Sequence, residues 1–183
     1  MSVVSSAPPL WASGACAGVH AAGCRHVVYV PDNPLSHVLR EFTERFSDVR
    51  LILATREEEA FGIAAGLYLA GATPALMFQS SGVGNSLNAI TSLFLPYQIP
   101  ALMIVSMRGD ESEWNAAQVP MGRALPAILD AMAVPYVVPA RSQDVGDLVR
   151  LTGVTAFGTR TLRACLLPRR MTSGADAMVA ARS

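Results

Sequence analysis

The chain has 183 residues, 51% of them hydrophobic and 15% charged, with 14 basic and 14 acidic side chains. That length suits one domain with a full core, and the balanced charge argues against a basic nucleic-acid surface or an anionic membrane as partner. Cys16, Cys24 and Cys165 form no CxxC pair and the histidines fall at no metal-ligand spacing, which excludes a structural zinc site and points to reduced thiols in a cytoplasmic protein.

Residues 1–9 read as a loose Ser/Ala/Pro start. They carry no basic n-region, and Pro8-Pro9 breaks the early apolar run, so a signal peptide is not expected. A helix of small residues is predicted over 10–22 and a short strand over 26–30, stopped by Pro31-Asp32-Asn33-Pro34. Leu35, Val38, Leu39, Phe42 and Phe46 then fall at helical spacing, with Arg40, Glu41, Glu44 and Arg45 on the other side, which predicts an amphipathic helix. A second strand follows over 49–54, a helix over about 56–70 and a third strand over 74–79. After a small-residue turn at Gly82-Val83-Gly84-Asn85, a helix is predicted over 85–95. A fully apolar strand over 101–106 leads into a polar loop over 107–120, long enough to suggest a functional segment. A helix over 124–132, a strand over 136–138, a helix over 143–156 and a strand over 164–167 complete the pattern. Residues 168–183 read as a frayed, flexible tail.

Strands and helices alternate, and the strands are continuous apolar runs, as in parallel sheets covered on both faces. The expected fold is a three-layer α/β/α domain over residues 10–167, with a mostly parallel sheet of five to six strands. From Ala60 through Met107 there is no charged side chain, so this stretch must be buried in a core or against a partner. Residues 60–78 and 87–107 approach membrane-spanning length. Gly62, Gly66, Gly71, Pro74, Pro96 and Pro100, with the polar Gln79-Ser80-Ser81 between, argue against a membrane hairpin. Sites in such sheets gather at the carboxyl ends of strands. Residues 31–33, 55–57, 79–85 and 106–109 all follow strands, so four loops converge on one rim.

The rim holds few chemical groups. Thr55 and Glu58 fit a capping box, Glu57 shares a helix stripe with Phe61, Ala64 and Tyr68, and Glu59 is placed toward solvent. The plain alternative is that all three glutamates simply oppose the helix macrodipole. Gly82-Val83-Gly84 lacks the third glycine and the distant acid of a dinucleotide loop and the Lys-Ser/Thr of a P-loop. It reads as a tight strand-to-helix turn capped by Asn85 or Ser86. Ser80 and Ser81 have no nucleophile elbow and no downstream histidine. Arg108 ends the uncharged stretch, where a guanidinium suits an anionic substrate group, or else pairs with Asp110 or Glu111 to fix its loop.

Taken together, these residues resemble the pyrimidine-binding (PYR) domain of thiamine-diphosphate-dependent enzymes. The resemblance rests on Glu57 at a strand-to-helix junction, Gly66 nine residues later, and Gly82-Val83-Gly84-Asn85 after the next strand, with Asn88 beyond. The segments REEEAFGIAAGLYLAG, QSSGVGNSLNAI, SMRG and QVPMG are most similar to the group that contains sulfopyruvate decarboxylase alpha subunits and phosphonopyruvate decarboxylases. The similarity runs from about residue 26 to 167. In that family the glutamate hydrogen-bonds N1′ of the aminopyrimidine. The resemblance therefore implies a catalytic Glu57, cofactor contacts from Pro31, Glu57, Gln79, Gly82, Gly84 and Asn85, and substrate contacts from Asp32 and Arg108. The activity it implies is decarboxylation of a small anionic 2-oxo acid, sulfopyruvate to sulfoacetaldehyde and CO2.

Members of the family hold the diphosphate through Mg²⁺ with a Gly-Asp-Gly and a later Asn. Here the Gly-Asp pairs at Gly109 and Gly146 lack that continuation, and Asn115 is the last asparagine. The resemblance thus implies thiamine diphosphate shared with a separate beta subunit that holds the Mg²⁺, together with self-association of alpha subunits. A phosphonopyruvate decarboxylase-like subunit and a non-catalytic, regulatory subunit are the alternatives. One departure is Pro31-Asp32, where the group often has a cysteine before its loop aspartate.

Overall fold

The computed structural model describes residues 7–173. Strands β1 (His26–Tyr29), β2 (Arg50–Leu53), β3 (Pro74–Gln79), β4 (Ala101–Ser106), β5 (Tyr136–Val137) and β6 (Leu162–Leu167) form one sheet in the order β2-β1-β3-β4-β6-β5. Every pairing is parallel. The expected sheet is therefore resolved as six strands without an antiparallel member. Helices α1 (Leu10–Ala21), α2 (Ser36–Arg45) and α7 (Val145–Thr159) contribute to one core. Helices α3 (Glu57–Leu69), α4 (Ser80–Asn85) and α6 (Val119–Ala131) contribute to the other, giving the three layers.

The central strands β3 and β4 are almost wholly buried, because helices cover both of their faces. Alternate residues feed opposite cores, as the two-residue strand period requires. Leu76, Phe78, Met103 and Val105 join Phe61 and Phe94, whereas Ala75, Met77, Leu102 and Ile104 join Trp11 and Val149. Phe61 of α3 stands edge-on to Phe94 with centroids 5.0 Å apart and lies 5.7 Å from Phe78. Each such ring stabilises the fold by roughly 1.5–3 kcal/mol of burial, and together they tie α3 to the sheet one turn beyond Glu57.

Three expectations are corrected. Gly82-Val83-Gly84-Asn85 is no turn: the chain passes from β3 directly into α4, then through α5 (Leu87–Ala89) into a π-helical turn over Ile90–Phe94. Neither Asn85 nor Ser86 caps a helix start there; the Ser86 hydroxyl donates back to the Gly82 carbonyl at 2.9 Å. Helix α6 begins at Val119 instead of 124, with a proline in its first turn, where the missing N–H leaves no bond unmade. The chain after 167 forms a further short helix, α8 (Arg169–Thr172), whose Arg169, Met171 and Thr172 are buried. Residues 1–6 and 174–183 of the predicted loose ends lie outside the described residues. Among the described residues no helix is long and apolar enough to cross a membrane. All three cysteines are free and buried.

Candidate active site

Adjacent parallel strands bring the loops after β2, β1, β3 and β4 to the same end of the sheet. Helix α3 follows β2 but packs over β1 and β3 and against α4. That crossing carries its first residue, Glu57, onto the start of α4. Arg56 is the extended residue before the helix and makes no side-chain cap bond. The cap comes from Glu59, whose Oε2 accepts the Thr55 N–H at 2.6 Å. That bond holds the Glu59 carboxyl below the ordinary range. Glu58 instead pairs with Arg56 at 3.3 Å, so the expected Thr55–Glu58 capping box is replaced. Because the helix starts at 57, its third position is 59 and the reach-back falls to Glu59.

Glu57 is half-buried and, among the described residues, its side chain makes no hydrogen bond or ion pair. Its side chain lies over Gly82: a Cβ there would come within 2.7 Å of Glu57 Cδ and Oε1. Only a bare backbone leaves room for the carboxyl group in this position. Where β3 passes into α4, Gln79 has a buried Oε1 without a donor, and Ser80 is fully buried, its Oγ accepting the Arg108 N–H at 3.3 Å. Gly84 has a different reason to be glycine. A Cβ there would lie 2.9 Å from Met121 Sδ and Cε, so Gly84 lets α6 close on α4. Asn85 and Pro31 are exposed at the rim.

Asp32 and Arg108 meet each other. The Asp32 side chain is 5% exposed, and its two oxygens accept the Ser106 hydroxyl at 2.5 Å and Arg108 Nη2 at 2.5 Å. Arg108 Nη1 lies 3.8 Å from Glu113, a carboxylate 1% exposed that also sits 3.7 Å from Arg169 Nε. Asp110 accepts the Arg169 backbone N–H at 3.1 Å, and burial raises its carboxyl above the ordinary range. The partners of Arg108 are thus Asp32 and Glu113, not the expected Asp110 or Glu111. In this arrangement the Arg108 charge is already balanced, and each Asp32 oxygen already accepts one hydrogen bond.

The loop that carries Arg108 is held by backbone approach. Gly109 has φ +78°, and a Cβ there would fall 2.6 Å from the Val119 carbonyl; a Cβ at Gly122 would overlap the Arg108 carbonyl. These two glycines are the physical content of the SMRG and QVPMG segments. Ser106, Glu113 and Arg169 escape the sequence reading because their pairings with Asp32, Arg108 and Asp110 are mostly long-range, up to 74 residues apart. The one local hint is the abrupt return of charge at Arg108.

Residues 15–133 match the family described as thiamine pyrophosphate enzyme, N-terminal TPP binding domain. The chain is 46% identical over 121 residues to the sulfopyruvate decarboxylase subunit alpha of Methanocaldococcus jannaschii, an alignment covering 66% of this chain and 71% of that one. It is also 46% identical over 140 residues to the subunit of the same name in Methanothermobacter thermautotrophicus, covering 74% and 84%. Among solved structures, 2-oxoglutarate:ferredoxin oxidoreductase from Magnetococcus marinus superposes with a TM-score of 0.69 at 13% identity. That likeness covers 88% of this chain but 29% of the oxidoreductase, and it bears on the fold alone. With the matched span containing Glu57, α4 and the Arg108 loop, the chain belongs to the thiamine pyrophosphate enzyme family as an N-terminal TPP binding domain.

Proposed function

We propose that this chain is the alpha, pyrimidine-binding subunit of a thiamine-diphosphate-dependent sulfopyruvate decarboxylase, releasing CO2 and sulfoacetaldehyde together with a separate beta subunit. The observation that carries the reading is the 46% identity over 121 residues to a sulfopyruvate decarboxylase subunit alpha. The groups around Glu57 fit an aminopyrimidine. They comprise a carboxyl group without a protein partner, a bare backbone surface at Gly82, and a buried Gln79 carbonyl oxygen with no donor.

Thiamine diphosphate, when bound, supplies the electron sink as carbon dioxide departs. Glu57 holds and exchanges a proton at a ring nitrogen of the pyrimidine, a role that favours a half-buried acid. Gly82 keeps the carboxyl in place, and Gln79 accepts a hydrogen bond from the ring's amino group. Pro31 and Asn85 border the same rim, whereas Gly84 acts through helix packing. Arg108 and Asp32 serve the substrate side as a buried pair that fixes the loop. The diphosphate and its Mg²⁺ are assigned to the beta subunit, since this chain lacks Gly-Asp-Gly. Self-association of alpha subunits and a cytoplasmic location complete the proposal.

The test is to combine the chain with a beta-type partner carrying Gly-Asp-Gly and to follow CO2 release from sulfopyruvate. Turnover is expected only with partner and thiamine diphosphate present, and Glu57→Gln is expected to lower kcat by roughly 10²-fold or more. Equal rates for the two proteins would remove Glu57 from the chemistry. Turnover of phosphonopyruvate but not sulfopyruvate would overturn the substrate.

A further inference from the structure

A cavity of about 520 Å³ opens between the carboxyl ends of β4 and β6 and the start of α6. Glu57, Gln79 and Gly82 do not line it; it shares only the loop after β4 with the rim described above and lies on the β6 side of that loop. Its walls are apolar where Met107, Pro126, Val138 and Leu166 face it. The polar lining contains Arg123, Arg170 and Arg108, the last already balanced by Asp32 and Glu113 from outside the cavity, with Asp110 and Glu111 as the carboxylates.

These arginines retain unused donors. Arg123 places only its Nε–H, on the Gly109 carbonyl at 3.2 Å. Arg170 makes no side-chain hydrogen bond or close ion pair among the described residues, although its charge acts on Asp110. Arg108 is bound to Asp32 through Nη2, yet its Nε is buried without a partner. The opposing carboxylates are weaker counter-charges. Glu111 is exposed, and Asp110, pushed up by burial, has one oxygen on the Arg169 N–H. The unfilled guanidinium forks of Arg123 and Arg170 above an apolar floor match a compact anion on a short carbon chain.

We propose that this cavity is a second binding site, which takes a small organic anion (a sulfonate, phosphonate or carboxylate on a two- to three-carbon chain) through Arg123 and Arg170. The site goes beyond the decarboxylase reading and stands if that reading fails. Its ligand is either the enzyme's own substrate or product or an independent effector of the same chemistry.

Calorimetric titration of the full chain with sulfoacetate at low ionic strength tests it. Wild type is expected to bind, and Arg170→Gln to weaken binding about tenfold, the worth of one lost charge-assisted hydrogen bond. Arg123→Lys, which keeps the charge but loses the fork and its bond to the Gly109 carbonyl, is expected to weaken it as well, while the unfolding midpoint of Arg170→Gln is expected to be unchanged. Glu57→Gln is expected to bind as wild type does. Absence of wild-type binding, equal binding by both arginine variants, or loss of binding in Glu57→Gln would overturn the proposal.

With the beta subunit present, a KM for the sulfonated 2-oxo acid raised about tenfold by Arg170→Gln at constant kcat identifies the substrate as the ligand. A rate response to sulfoacetate that Arg170→Gln abolishes at constant KM identifies an effector.

Discussion

Gly82→Ala separates the role of the Glu57 position from that of the fold. The new methyl group would sit 2.7 Å from Glu57 Cδ and Oε1, well inside the 3.4 Å where ordinary contact begins, so the carboxyl group has to move by roughly 1 Å. A displacement of that size in a catalytic group costs about 10²-fold in rate. Stability should barely change. Crowding costs of order 1 kcal/mol are offset by about 1 kcal/mol gained when alanine replaces glycine in a helix, and the obstacle is a half-buried side chain that can swing away. The assay pairs kcat for sulfopyruvate with the beta subunit present and thermal unfolding of the alpha chain alone. A double variant, Gly82→Ala with Glu57→Gln, should lose little beyond either single change, since both act on one group. Wild-type kcat in Gly82→Ala, or fully additive losses in the double variant, would refute the placement of Glu57 over Gly82 as the working geometry.

Arg108→Ala leaves Asp32, at 5% side-chain exposure, without its cation, and Glu113, at 1%, with only Arg169 at 3.7 Å. The expected loss is about 3–5 kcal/mol in denaturant unfolding, and a loss below about 1 kcal/mol would contradict the buried network. The Thr55 N–H lowers Glu59 below its ordinary 4.5, so this cap contributes stability above that value and loses it as pH falls through the folded-state pKa. Glu59→Gln should therefore flatten the acid side of a stability–pH curve, and an unchanged slope would argue against the cap. Burial pushes the thiols of Cys16, Cys24 and Cys165 up to about 12, which leaves almost no thiolate at neutral pH. Ellman's reagent should react only as the protein unfolds; a fast equivalent in the native state would show that one thiol is not sealed.

Much of this architecture is legible in one dimension, and the reasons are local. Strands β3 and β4 fall at the predicted residues because each is an unbroken apolar run bounded by proline or a loop on one side and polar residues on the other. The sheet's parallel character follows from those same runs, which leave no polar face for solvent. The misreadings arise where local signals allow more than one outcome. Small residues at 82–85 suit a turn or a helix, and packing of α4 on α6 through Gly84 and Met121 selects the helix. Thr55 admits a capping partner at 58 or 59, and the exact start of α3 selects Glu59. Arg169 and Met171 look like a polar tail until Asp110 takes the Arg169 N–H and the core takes Met171.

The amino-acid order alone therefore determined the layers and the strands, which depend on hydrophobic patterning, whereas Glu57 stood out from its neighbours only through the family resemblance carried by its spacing to Gly66. Tertiary structure decided what each rim residue faces. Gly82 lies beneath Glu57, Asp32 and Arg108 neutralise one another, and Arg123 and Arg170 share a cavity. Such contacts join segments tens of residues apart, and their geometry exists only once six parallel strands have set the loops side by side.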